Sequence, residues 1–112
     1  MKKIEAIIKP FKLSEVKNAL HEIGLSGMTI IEVKGFGRQR GLDGTDSNSN
    51  NNDEFLAKIM IEIIVEDENS EKAINAIQKS AFSGKIGDGK IFISNIDQVI
   101  RIRTGEKGKD AV

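Results

Sequence analysis

From Lys2 to Lys9, apolar and polar residues alternate around Ile4, Ala6 and Ile8, the period-two pattern of a strand with one buried face. Pro10 ends that strand, because its nitrogen has no hydrogen to give to a ladder. At Leu13 the period changes. Leu13, Val16, Ala19, Leu20 and Ile23 recur at spacings of three and four, which predicts a helix running to Gly24, a residue suited to the left-handed geometry of a helix C-terminus. Met28 to Phe36 and Ala57 to Val65 are rich in β-branched residues and read as the second and third strands. From Asn69 to Phe82, the residues Ala73, Ile74, Ile77 and Ala81 share one helical face, with Asn69 or Ser70 placed to cap the first turn. Lys90 to Ser94 predicts a fourth strand, and Val99 to Thr104 a short extended piece.

Strand, helix, strand, strand, helix, strand is the split βαβ, or ferredoxin-like, order. The expected fold class is therefore α+β: a βαββαβ sandwich with both helices on one sheet face and a long loop between the second and third strands. A chain of 112 residues suffices for one such domain with one modest core. The other sheet face is expected to carry Ile7, Met60, Ile64 and Phe92 among Glu5, Glu32, Lys58 and Glu62. That mixture is too apolar for open solvent and too charged for a core, so burial between subunits with the charges paired is the preferred reading. Met28 and Met60 read as interior fillers, and His21 as a solvated residue on the helix face opposite Leu13, Val16 and Leu20.

Composition narrows the partners. Lys plus Arg and Asp plus Glu both number 17, so no general attraction to nucleic acid or to an anionic membrane is expected. There is no cysteine, which removes disulfides, thiolate metal sites and thiol nucleophiles together. The first residues, MKKIEAIIKPFK, are too charged and too short in their apolar run for a signal peptide or a membrane span. A cytoplasmic protein without membrane insertion is expected.

Three stretches carry chemistry beyond packing. Gly84 to Lys90 satisfies the GxxxxGK spacing of a phosphate-binding loop, yet Ile91 follows where a Ser or Thr would bind Mg²⁺, and the next residues read as strand where that motif needs a helix. What survives is a turn in which Gly84, Gly87 and Gly89 can bend backbone N–H groups around an anion, with Lys90 beside it; an ordinary helix-to-strand turn is the alternative. In Val99 to Thr104, strand alternation would set Arg101 and Arg103 on one side, roughly 6 to 7 Å apart. Their forked guanidiniums suit phosphate, while pairing with carboxylates such as Glu32 or Glu62 is the competing explanation. The third stretch, Gly35 to Gly41, is not the dinucleotide fingerprint, because its third glycine is one position late and it follows a strand without opening a helix. It runs into a polar Asn- and Ser-rich segment to Glu54, far longer than a hairpin loop and expected to be mobile until gripped.

KKIEAIIKPFKL at the start, MT followed by EVKGFGRQ, then GKIGDGKIF and finally VIRIRTGE resemble the PII signal-transduction proteins of nitrogen regulation, in that order and over nearly the whole chain. The resemblance implies a homotrimer of ferredoxin-like subunits with a nucleotide site in each cleft between neighbours. It also implies a mobile T-loop over residues 37–55, a phosphate-binding loop over 82–90 and a C-terminal loop and tail over 101–112. By the same resemblance Gly87, Gly89, Lys90, Arg101 and Arg103 would hold the phosphates of ATP or ADP, with Arg38 adding charge. Ile7, Gly35, Glu62 and Ile64 would line the adenine, with Thr29 nearby. Gln39 would help to hold Mg²⁺. Lys58 would pair with the distal carboxylate of 2-oxoglutarate, with Gly37, Gly41 and Gly87 around it. An octahedral all-oxygen site is what Mg²⁺ demands, and the keto acid would then bind well only where ATP supplies metal ligands, so that ADP should not support it.

The resemblance further implies a regulatory binding protein, not an enzyme. Its targets would be an ammonium transporter, acetylglutamate kinase, the glutamine synthetase adenylyltransferase or a transcription regulator. Asn51 stands where many relatives carry the tyrosine that is nucleotidylylated, and this chain has no Tyr; Ser47 stands where channel-plugging relatives carry arginine. Ser49 matches a phosphorylated serine of cyanobacterial-type members in a different setting, and the RTGEK ending is similar to cyanobacterial and plastid members. Two rival functions have less support in the residues. RNA binding on the sheet lacks Tyr, Trp and the aromatic strand pattern, and a weak ATPase lacks a placed base and the hydroxyl after Lys90.

Overall fold

The computed structural model describes residues 1–36 and 55–112. Its elements are β1 (Lys2–Ile8), α1 (Leu13–Glu22), β2 (Thr29–Gly35), β3 (Leu56–Val65), α2 (Asp67–Ala81) and β4 (Lys90–Asn95), with a turn of 3₁₀ helix at Pro10–Lys12 and another at Gly108–Ala111. The four strands form one antiparallel sheet in the order β2-β3-β1-β4. This is the ferredoxin-like α+β fold that the period changes predict.

Register explains the core. Ile4 lies opposite Ile63, Ala6 opposite Ile61 and Ile8 opposite Ile59, so the even residues of β1 and the odd residues of β3 share one face. Onto them pack Val16 and Leu20 of α1 and Ala73, Ile77 and Ala81 of α2, all buried. Burial of an Ile or Leu side chain is worth about 1.5–3 kcal/mol, which fixes the helices to this face.

The helix ends depart from expectation in one place. At the C-terminus of α1, Gly24 (φ +91°) donates to the His21 carbonyl, and Leu25 donates to that of Leu20, both at 3.0 Å. This paired closure requires a left-handed residue. By contrast α2 begins at Asp67, two residues before the predicted start, with Glu66 as N-cap and no side-chain cap. Asn69 instead donates its N–H to the Glu66 carbonyl (2.9 Å), and the Ser70 hydroxyl donates to the Asp67 carbonyl (2.9 Å). Acidic Asp67 and Glu68 in the first turn supply the favourable charge at that end.

The face away from the helices carries Lys3, Glu5 and Ile7 of β1, Lys58, Met60, Glu62 and Ile64 of β3, and Phe92 of β4. β2 adds Thr29, Ile31 and Val33. Glu32 is not among them: it lies opposite Ile59, so it belongs to the helix-side face at the sheet edge, where it is exposed. Glu5 and Glu62 face each other across the ladder, a repulsive arrangement that Lys3 relieves at 3.8 and 3.4 Å. The face is thus apolar with its charges paired. Met28 packs partly buried against the core, whereas Met60 lies on the opposite face and is half-buried.

The expected extended piece from Val99 to Thr104 does not form. Ile100 makes a single bridge to Lys107, and the chain turns between them, with the Arg101 N–H donating to the Glu106 carbonyl and the Gly105 N–H to that of Arg101, both at 2.8 Å. Alternation of apolar and basic residues is compatible with a strand, but here the glycine of RTGE supplies the positive φ (+74° at Gly105) that closes a turn instead.

Candidate functional site

The glycine-rich turn between α2 and β4 is held by one carboxylate. Asp88 accepts hydrogen bonds from the N–H groups of Ser83 (2.8 Å) and Gly84 (2.9 Å) and from the Ser83 hydroxyl, and the Lys9 ammonium lies 3.4 Å from it. Partial burial pushes the Asp88 carboxyl up, but the Ser83, Gly84 and Lys9 donors outweigh it and hold the group well below the usual carboxylate range. Gly87 and Gly89 flank Asp88 with φ +100° and +99°. At Gly89 a Cβ would stand 1.6 Å from the Ile7 carbonyl oxygen, so only glycine fits where β4 joins β1. Lys90 then opens a strand, not a helix, as the residues that follow it predict.

This turn walls a cleft of ≈ 610 Å³ at the open-face end of the sheet. Of the residues singled out in the sequence, Ile7, Gly35, Lys58, Gly87, Gly89 and Lys90 line it together. Lys58 is 8% exposed and donates to the Gly87 carbonyl at 2.7 Å, which ties β3 to the turn. Burial lowers its pKa from the ordinary lysine value, and the neighbouring Lys9 adds to the effect. Gly35 leaves room for the Lys58 stem, whose Cγ would be 3.4 Å from an added Cβ. Phe36 and Phe55, the described residues on either side of 37–54, meet edge to face with ring centroids 5.8 Å apart.

Thr29, Glu62 and Ile64 share the open face with Ile7 but lie farther along it and do not line the cleft. Arg101 and Arg103 are not brought to it within one chain either. Arg101 is engaged in the tail, 3.3 Å from the Glu106 carboxylate and donating to the Asp110 carbonyl at 3.4 Å, so its acidic partner is neither Glu32 nor Glu62. Between the two arginines Ile102 is 100% exposed. Gly37, Arg38, Gln39, Gly41, Ser47, Ser49 and Asn51 lie outside the described residues. Sequence reading assigned no site role to Asp88, Ser83, Phe92 or Lys85. Asp88, between two glycines, carried a signal, because a short carboxylate there suits a turn that needs N–H acceptors. Among the described residues no cluster of three or more His, Asp or Glu could hold a metal, and no helix is long and apolar enough to cross a membrane.

Fold and cleft together describe a ferredoxin-like domain with a glycine-walled, lysine-lined cleft at one end of its sheet. The nitrogen regulatory protein P-II family model matches residues 1–106. Nitrogen regulatory protein P-II of Azospirillum brasilense is 57% identical over 112 residues, with 100% of both chains covered, and that of Rhodospirillum rubrum is 59% identical over the same span, again with 100% of both covered. A crystal structure of PII from Arabidopsis thaliana bound to citrate superposes with a TM-score of 0.84 at 40% identity, covering 99% of this chain and 91% of that one. The chain belongs to the P-II family of nitrogen regulatory proteins.

Proposed function

We propose that this chain is a PII signal-transduction protein that binds ATP or ADP and, with Mg-ATP, 2-oxoglutarate, and that regulates nitrogen-assimilation proteins through residues 37–55. The observation that carries the proposal is the convergence of Ile7, Gly35, Lys58, Gly87, Gly89 and Lys90 on one cleft. An apolar wall at Ile7 suits a purine. The positive-φ glycines and Lys90 suit phosphate oxygens, and the buried Lys58 suits a carboxylate. The relatives named as regulatory proteins support a binding role over catalysis.

The proposal extends to assembly. A homotrimer would cover the apolar open face, and a neighbour's tail would bring Arg101 and Arg103 to the phosphates while Thr29, Glu62 and Ile64 flank the base. Mg²⁺ would take its oxygens from the phosphates, the keto acid and Gln39. Arg38, Gly37 and Gly41 complete the site in this reading. The targets are proteins of nitrogen metabolism: an ammonium transporter, acetylglutamate kinase, an adenylyltransferase or a transcription regulator. With Asn51 and Ser47 at the loop tip, output does not pass through a modified tyrosine, and Ser49 is the remaining candidate for modification. The protein works in the cytoplasm.

Calorimetry tests the sensing step. 2-Oxoglutarate is expected to bind in the presence of Mg-ATP and not with Mg-ADP or alone. Binding without nucleotide, or none with Mg-ATP, refutes the proposal.

A further inference from the structure

Lys9 is 7% exposed but neither joins the apolar core nor lines the cleft. Desolvating an ammonium is costly unless partners compensate. Its partners are specific: the Nζ lies 3.2 Å from the Ser83 hydroxyl oxygen and 3.4 Å from the Asp88 carboxylate. Pro10 helps to aim it, since a residue before proline is confined to extended backbone, and Lys9 has φ −67° and ψ 139°. The Ser83 hydroxyl in turn accepts the Lys85 N–H at 3.2 Å while donating to Asp88. Both ends of the turn are therefore tied to one point: Ser83, Gly84 and Lys85 at its start, and Asp88 between Gly87 and Gly89 at its end.

We infer that Lys9 is a positioning residue for the anion-binding turn, its ammonium closing a clamp on Ser83 and Asp88 that presets the Gly84–Gly89 backbone for the phosphates of a nucleotide. The inference rests on the nucleotide reading of the cleft for its ligand but not for its geometry. Without the ammonium, Ser83 and Asp88 keep their mutual bond but lose the anchor to β1, and the turn can shift relative to Ile7 and Lys58. A merely structural ion pair would change stability and leave ligand discrimination untouched. A positioning role changes phosphate recognition while sparing the base, because Ile7 and Gly35 are held by their own ladder pairings with Met60 and Leu56 and not by the clamp.

Wild type, Lys9→Met, Lys9→Arg and Ser83→Ala would each be titrated with ATP and with adenosine. Amide hydrogen exchange over the 83–89 turn would be followed in the ligand-free proteins. Lys9→Met is expected to weaken ATP roughly 10- to 100-fold, the loss of a charge-assisted contact, with adenosine little changed and exchange accelerated in the turn alone. Lys9→Arg should restore most of the ATP affinity, and Ser83→Ala should reproduce the Lys9→Met pattern more mildly. Unchanged ATP binding in a folded Lys9→Met protein, equal losses for ATP and adenosine, or normal exchange in the turn overturns the inference. A wild type that binds no ATP refutes the nucleotide reading instead, and the exchange rates then decide whether the clamp exists.

Discussion

Replacing Gly89 with alanine tests how closely β4 must approach β1. An added Cβ would sit 1.6 Å from the Ile7 carbonyl oxygen and 2.7 Å from its carbon, separations that no rotamer can relieve because both partners are backbone. A side chain at φ +99° adds a conformational cost of about 1–2 kcal/mol. The overlap then forces the start of β4 away from β1. Since β4 is an edge strand paired to β1 alone, one or two ladder bonds worth about 0.5–1.5 kcal/mol each are lost there. The sum is about 2–5 kcal/mol, read as a lower midpoint in urea unfolding followed by circular dichroism. Gly24→Ala is the internal control: its φ is +91° but nothing lies within 4 Å of the added Cβ, so only the conformational cost of about 1 kcal/mol remains. Equal destabilisation of the two variants, or a Gly89→Ala protein within about 0.5 kcal/mol of wild type, would refute the close-approach argument.

Asp88→Asn should lower stability at pH 7 by about 1–3 kcal/mol through loss of charged hydrogen bonds. Because the folded carboxyl is held below its unfolded value of about 3.9, that contribution is complete above it and fades as pH falls through the depressed folded value, so urea midpoints of wild type and variant should converge in acid. A constant gap between them from pH 7 to pH 3 contradicts the assignment. Arg101→Ala combined with Arg103→Ala should weaken ATP by several kcal/mol, at about 1.5–3 for each charge-assisted contact; unchanged calorimetric affinity removes both arginines from the phosphate site. Ile31, on the open face and 37% exposed in the single chain, reports on assembly: light scattering should give a trimer mass for wild type and a monomer mass for Ile31→Asp. A trimer in both, or a wild-type monomer, contradicts burial of that face.

How much was legible in the sequence depended on the range of the interactions concerned. Among the described residues local periodicity located the four strands and both α-helices, because Ile4, Ala6 and Ile8 or Ala73, Ile77 and Ala81 must repeat with the backbone's own period to reach one core. It failed where two local solutions compete. VIRIRTGE alternates like a strand but turns at Gly105, so Arg101 meets Glu106 five residues on. Asn69 and Ser70 are good caps in isolation, yet the helix extends back to Asp67 because Glu66 at the end of β3 offers its carbonyl earlier. Glu32 was placed on the wrong face because face assignment needs the register with β3, which no single strand reveals.

The chain alone therefore determined the ferredoxin-like order, the apolar core and the glycines and lysine of a turn whose chemistry suits an anion, since these follow from short-range spacing and residue chemistry. Only the tertiary structure decided that Ile7, Gly35, Lys58 and Gly89 meet in one cleft, and that Lys9 reaches across 74 residues to hold the turn through Ser83 and Asp88. Strand register and chain crossing bring such distant residues together, and neither is written in any local stretch of sequence.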